Sequence, residues 1–120
     1  MARPKKDSTE YYVSMIKKII DGKKGNDIVT LDMKNFSFTD YFIIASGDSE
    51  VQLNAIADEI IIRLDGQGRS RHRREGKQDS KWILLDFGDI VVHLFKEDIR
   101  KYFNLERLWY ESRKSNEIDE

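Results

Sequence analysis

The segment 82–95, WILLDFGDIVVHLF, limits more than any other feature what this chain can fold into. Two apolar runs flank the small turn Gly88-Asp89, a pattern that predicts a β-hairpin. Asp86 and Asp89 lie at the turn, and Phe87 immediately precedes it. We expect Phe87 to be the least buried of the aromatic residues. The segment therefore predicts a rigid edge with an aromatic tip and two carboxylates, which suits binding to a partner better than catalysis.

A chain of 120 residues has room for one domain with a single core. It contains no cysteine, which excludes disulfides, thiolate metal sites and a cysteine nucleophile, and which fits a reducing compartment. No apolar run approaches the roughly 20 residues needed to span a bilayer. No hydrophobic segment follows the basic start of the chain, so no secretory signal is expected. These features predict a soluble, cytoplasmic protein.

Charge is unevenly distributed along the chain, although the net charge is only −1. Residues 1–81 carry 15 Lys/Arg and 13 Asp/Glu, a net charge of +2, whereas residues 82–120 carry 6 and 9, a net charge of −3. The C-terminal third thus indicates an acidic surface for a basic partner. An ordinary solvated surface explains the same numbers, and on charge alone it is the commoner case.

Three segments have the apolar spacing of amphipathic helices. The first is predicted to start at Asp7, because Asp7 and Glu10 have the spacing of a capping box. The second follows Ser49, which has the same relation to Gln52, and the third spans residues 97–112. The predicted buried stripes are Tyr12, Met15, Ile16, Ile19 and Ile20 in the first helix, and Leu53, Ile56, Ala57, Ile60, Ile61 and Leu64 in the second.

The segments between these helices are predicted to be strands. Residues 41–45 form a continuous apolar run, which is typical of a strand buried on both faces. Residues 28–33 alternate in part, and the arginines of residues 69–75 are typical of a solvent-facing edge strand. With the hairpin, the order α-β-β-α-β-β-β-α predicts an α/β fold, a mixed β-sheet of about five strands flanked by helices.

One constellation is compatible with catalysis. The turn Ser46–Ser49 lies between a strand and a helix, where backbone N–H groups can hold phosphate. Together with Asp86 and Asp89 it would form a metal-dependent nucleotidyltransferase site. Against this, Asp48 and Glu50 place negative charge where the triphosphate would lie, and a helix cap explains the turn. Catalysis is therefore the alternative hypothesis.

His93 and the basic segment 69–74 each have more than one possible role. His93 lies in an apolar strand, where a lone histidine is more often half-buried and hydrogen-bonded than a metal ligand. The basic segment 69–74 would contact nucleic acid through phosphates, but no aromatic residue interleaves with it to stack on bases. Protection of an edge strand explains this segment equally well. Its arginines are Arg69, Arg71, Arg73 and Arg74.

Four aromatic residues remain as candidate anchors: Trp82, Phe87, Phe103 and Trp109. Aromatic side chains ringed by charge are typical of the centre of protein–protein interfaces. The alternative is that all four belong to the core. Helical spacing favours the core for Phe103 and, in part, for Trp109.

Four segments together carry a family resemblance: SFTDYFIIASG at 37–47, Ala57-Asp58-Glu59, WILLDFGDIVVHLF at 82–95 and YFNLERLW at 102–109. In this order they resemble the ribosomal silencing factor (Iojap-like) family, over about residues 8–110. The chain departs from it at Phe87, where family members commonly have tyrosine. The resemblance implies a family domain at 8–112, between a basic flexible tail at 1–7 and a charged tail at 113–120.

The resemblance implies a fold similar to nucleotidyltransferases but without their catalytic signature, and a protein that is not an enzyme and needs no cofactor or metal. It implies a translational repressor that binds the large ribosomal subunit through ribosomal protein L fourteen and blocks joining of the small subunit. It also implies a homodimer when free and no membrane association; peripheral contact with ribosomal RNA would involve the four arginines. The expected partner-binding residues are Trp82, Leu85, Asp86, Phe87, Gly88, Asp89, His93, Phe103, Leu105 and Trp109.

Overall fold

A computed structural model describes residues 5–35, 37–70, 73–76, 78–104 and 107. The order of its elements confirms the predicted one. They are α1 (Thr9–Gly22), β1 (Asn26–Asp32), β2 (Tyr41–Gly47), α2 (Glu50–Asp65), β3 (Arg73–Glu75), β4 (Trp82–Asp86), β5 (Ile90–Lys96) and α3 (Glu97–Phe103). Within this described part, no helix is long and apolar enough to cross a membrane. Residues 1–4 of the tail predicted at 1–7, and the whole tail predicted at 113–120, lie outside the described residues.

The five strands form one mixed sheet in the order β1-β2-β5-β4-β3. Strands β2 and β5 are parallel, and every other neighbouring pair is antiparallel. The predicted hairpin is confirmed as β4 and β5, with Gly88 at a φ of 91° in the turn between them. This arrangement confirms the predicted mixed sheet and places the apolar β2 and β5 at its centre.

The helix starts show one correct capping prediction and one error. Ser49 caps α2 as predicted, accepting a hydrogen bond from the Gln52 N–H. For α1 the prediction of Asp7 is wrong, because Ser8 is the cap and accepts the Tyr11 N–H. Asp7 lies outside the helix at a φ of 68° and accepts the Tyr12 hydroxyl at 2.8 Å.

Both α1 and α2 pack on one face of the sheet, which we call the helix face. The predicted stripes supply most of its core, although Met15 and Ile61 are only partly buried. The strand residues that meet the helices alternate with residues that point to the opposite, second face. The buried strand residues of the helix face include Ile43, Ala45, Ile83, Leu85, Ile90, Val92 and Leu94.

The second face has a smaller apolar cluster and only partial cover from the described residues. Helix α3 packs against β2 and β5, where its Ile99 joins a cluster that includes Ile44 and Phe95. Its Arg100 donates to the Ser46 hydroxyl at 2.9 Å, which satisfies a buried polar group. Helix α3 therefore covers the half of this face at the carboxyl ends of the parallel strands.

The hairpin turn is fastened to both helices of the helix face through Asp89. Its carboxylate accepts the Thr9 hydroxyl at 2.7 Å, at the start of α1. It also forms an ion pair with Arg69, which follows α2. The Arg69 guanidinium in turn lies 4.5 Å from the ring centre of Tyr12. Asp89 therefore connects three parts of the chain.

Asp89→Ala should lower the free energy of unfolding by about 1–3 kcal/mol, because it leaves the partly buried Arg69 without its anion. Asp58→Ala is the matched control, because its ion pair with Arg74 involves a carboxylate that is 60% exposed and should contribute at most about 1 kcal/mol. Urea unfolding of the three proteins measures the difference. Equal losses of unfolding free energy in the two variants would contradict a larger contribution from Asp89.

Candidate functional site

An open groove occupies the half of the second face that α3 does not cover. Phe42 of β2, Leu84 of β4 and Val91 of β5 form its apolar floor, and His93 lies beside them. The lining residues at the ends and rim are Ser37, Phe38, Thr39, Arg73, Asp86 and Gly88, and the volume is about 500 Å³. We call this feature the sheet groove.

Strand register explains why these residues share one face. Leu84 lies opposite His93 in the antiparallel pair of β4 and β5, and Asp86 lies opposite Val91. On the other side of β5, Phe42 pairs with Val91 in the parallel ladder. Directly paired residues point to the same side of a sheet. The alternation that buries the hairpin against the helices therefore also builds the groove floor.

Phe38 is fully exposed at the rim of the sheet groove. It belongs to the segment between β1 and β2, next to the buried Thr39. A single exposed apolar residue is ordinary, but one beside an open apolar groove enlarges a contiguous apolar surface. Such a surface is typical of a protein-binding site.

His93 differs from the prediction for a lone strand histidine, because it is neither half-buried nor hydrogen-bonded. The side chain is 5% exposed, and both ring nitrogens are buried without a hydrogen-bond partner among the described residues. Its neighbours are aromatic: the Phe42 ring lies 4.8 Å away edge-on, and the Trp82 ring is stacked at 6.0 Å. Burial lowers the pKa of His93 to about 4, so the ring is neutral at pH 7.

The expectation of an exposed aromatic tip at Phe87 is wrong. Phe87 is 3% exposed and belongs to the core beneath the helices. It has the same alternation phase as Ile83 and Leu85, which point to the helix face, and Leu85 is completely buried. Direct contact of Phe87 or Leu85 with a partner would therefore require the core to open.

The remaining hairpin residues divide between the turn and the groove. Asp86 lines the sheet groove, and its Oδ1 accepts the Gly88 N–H at 2.8 Å. Trp82 is partly buried and stacks on Phe95 at 5.4 Å between ring centres, next to the groove. Asp89 is turned towards Thr9 and Arg69 instead of outwards. The predicted partner role of these residues stays a prediction. Of the two carboxylates at the turn, Asp86 lines the groove and Asp89 does not.

The predicted residues of the C-terminal helix are described only in part. Phe103 ends α3, but its side chain is not among the described features, and Leu105 and Trp109 lie outside the described residues. The predicted helix over 97–112 is confirmed for Glu97–Phe103.

The basic segment does not form a free cationic surface at its described positions. Arg69 is paired with Asp89, and Arg74 donates to Asp58 at 2.7 Å and to Asn54 at 2.9 Å, both on α2. Arg73 is the exposed arginine of edge strand β3 and pairs with Glu75 at 3.5 Å. Arg71 lies outside the described residues. The segment is therefore used largely to fasten β3 and the loop before it to the rest of the fold.

The two halves of the hypothetical nucleotidyltransferase site do not come together. Ser46 lies opposite Phe95 at the carboxyl end of β5, whereas Asp89 precedes Ile90 at its amino end. Strand β5 has seven residues, so about 20 Å of strand separates the two positions. In the described part of the chain, no three acidic or histidine side chains converge as a metal site. This particular catalytic arrangement is wrong.

Sequence reasoning missed the groove floor and Phe38. The alternation of Trp82, Leu84 and Asp86 with Ile83 and Leu85 contained the signal. Applying the period of two strictly would have separated groove residues from core residues. The partners on β2 and the loop required the strand register, which no local pattern specifies.

The fold and the groove define a class: an α/β protein with helices on one face of a sheet and an open groove on the other. The family model described as "Ribosomal silencing factor during starvation" matches residues 5–120. The chain belongs to this family.

Curated relatives and solved structures agree with that assignment. "Ribosomal silencing factor RsfS" of Bacillus subtilis is 46% identical over 74% of this chain and 76% of its own length. A plant relative from Arabidopsis thaliana, "Protein Iojap-related, mitochondrial", is 31% identical over 78% of this chain and 54% of its own length. A crystal structure from Chromobacterium violaceum superposes with a TM-score of 0.82 at 30% identity, covering 85% of this chain and 86% of that one.

The stability of the protein should depend on pH through His93. In the unfolded chain its pKa is near 6.5, and burial lowers it to about 4. The part of the free energy of unfolding that depends on a neutral His93 is therefore fully present above about pH 6.5. About 3 kcal/mol of it is lost as the pH falls towards 4. Urea unfolding from pH 7.5 to 4 measures this, and His93→Phe should flatten that part of the profile. Superimposable wild-type and variant profiles would contradict a buried neutral histidine.

Proposed function

We propose that this chain is a translational repressor that binds the large ribosomal subunit and blocks joining of the small subunit. Membership of a family described as silencing factors of the ribosome supports the coarse part, a regulatory role on the ribosome. We propose more specifically that the partner is ribosomal protein L fourteen. The chain would act in the cytoplasm and form a homodimer when free.

The sheet groove is the observation that carries the binding part of this proposal. It combines an apolar floor of Phe42, Leu84 and Val91 with the exposed ring of Phe38. Interfaces concentrate their binding energy in a few apolar and aromatic anchors at the centre of a patch. The anchors in this proposal are thus the groove residues and Trp82, and they replace the buried Phe87.

The mechanism is steric and requires no bond to be made or broken. A domain seated on the joining face of one subunit excludes the other subunit as long as it remains bound. Desolvated anchors govern how slowly such a complex dissociates, whereas exposed charges mainly change the rate of association. The net negative charge of residues 82–120 favours the approach of a basic ribosomal protein.

A substitution pair tests the groove as the binding surface. Phe38→Asp removes a fully exposed anchor and adds a charge to the rim, and it leaves the folded core untouched. We expect binding to isolated large subunits to weaken by about 2 kcal/mol or more. Co-sedimentation measures binding, and sucrose gradients of mixed subunits measure whether they still join.

Val51→Asp is the matched control. Val51 is 81% exposed, and it lies on α2, beyond the helix face of the sheet. The same apolar-to-acid change there should leave binding and inhibition of joining unchanged. Wild-type binding by Phe38→Asp, or an equal loss in Val51→Asp, would place the interface elsewhere.

A further inference from the structure

His93 is a polar group for which the described part of the fold provides no partner. Both ring nitrogens are buried and accept or donate no hydrogen bond among the described residues. An unsatisfied buried polar group destabilises a folded protein, so each one in a native structure requires an explanation. The ring lines the sheet groove and is enclosed by Phe42 and Trp82. A ligand in the groove would supply the missing partner.

Asp86 places a negatively charged hydrogen-bond acceptor close to this ring. One of its oxygens accepts the Gly88 N–H, which leaves the other oxygen available to the groove. Asp86 follows Leu84 by two residues on the same face of β4, and Leu84 lies directly opposite His93. Diagonal neighbours of this kind lie about 7–8 Å apart, a gap that one polar side-chain end can bridge.

Arg73 and Glu75 of β3 also contribute to the charge near Asp86. Arg73 is paired in register with Asp86 between β3 and β4, and Arg73 also lines the groove. Its guanidinium, however, forms an ion pair with Glu75 at 3.5 Å. Among the described residues, Arg73 and Asp86 are the charged ones that line the groove. Arg73, Glu75 and Asp86 together carry a net charge of −1, so this end of the groove has a small excess of negative charge.

We propose that the sheet groove binds a lysine or arginine side chain of the partner protein, with His93 as the specificity-determining hydrogen-bond acceptor and Asp86 as the counter-charge. This inference rests on the proposed function, because it names the chemistry that the same groove recognises. The apolar stem of such a side chain lies along Phe42, Leu84 and Val91, and its charged end meets the two acceptors. Because both ring nitrogens are buried, this binding mode requires the imidazole to turn about its Cβ–Cγ bond and present one nitrogen to the groove.

The chemistry of the groove disfavours other occupants. An apolar side chain would remove water from the Asp86 carboxylate without replacing its hydrogen bonds, which costs free energy on binding. An acidic side chain would be repelled by Asp86. A cationic side chain has donors only, and it meets a neutral ring that offers a lone pair and no repulsion, because burial keeps the pKa of His93 near 4.

The test compares three variants with the wild type for binding to isolated large ribosomal subunits. His93→Phe keeps an aromatic ring of similar size but has no acceptor, and we expect the dissociation constant to rise about tenfold. The urea midpoint of the free variant should be unchanged or higher, because an unpaired polar group is removed. His93→Gln restores an acceptor and should bind more tightly than His93→Phe.

Asp86→Asn tests the counter-charge without disturbing the turn, since an amide oxygen can still accept the Gly88 N–H. We expect weaker binding and a shallower dependence of affinity on salt concentration. Asp58→Asn, on the outer side of α2, is the matched control and should bind as the wild type does.

These outcomes distinguish failure of this inference from failure of the proposed function. Wild-type or tighter binding by His93→Phe would show that the ring acts by packing alone, and would overturn the inference. Wild-type binding and salt dependence in Asp86→Asn would overturn it as well. If Phe38→Asp still abolishes binding in those cases, the proposed function stands. If Phe38→Asp also binds normally, both fail.

Discussion

The whole molecule depends on the pairing of β2 and β5, two parallel apolar strands at the centre of one sheet. Each of them must be covered on both faces, because apolar residues follow one another along both strands. The chain supplies two long helices for one face and only the short α3 for the other among the described residues. A sheet covered unequally in this way has a fully closed core on one side and an open groove on the other.

The sequence contained more of the fold than of the site. Element order, the hairpin and the Ser49 cap follow from local patterns of apolar spacing and turn residues. The error at Asp7 is an offset of one residue, since Ser8 accepts the Tyr11 N–H whereas Asp7 accepts the Tyr12 hydroxyl. Helix ends commonly shift by one or two residues, so either of two adjacent capping residues can begin the helix.

The error at Phe87 has a different cause. Nearness to a turn indicated exposure, but the period of two along β4 continues through Phe87 and directs it towards the helices. The groove in turn joins residues from β2, β4, β5 and the loop at 37–39, which are distant in sequence. Their proximity is a property of strand register, which is decided by the whole sheet. Residues such as Phe42 therefore carry no local sign of their position in the groove.

The hydrogen bond between Thr9 and Asp89 joins residues that are 80 positions apart. This contact between the first helix and the hairpin can close only after residue 89 has been synthesised. Like the pairing of β2 with β5, it requires the closure of a long loop, and such non-local contacts slow folding relative to local ones. The turn is also held by the Arg69 ion pair and by the Asp40 and Tyr41 N–H groups, which donate to the Asp89 carbonyl. A hairpin cut out of this chain would lose all of these restraints.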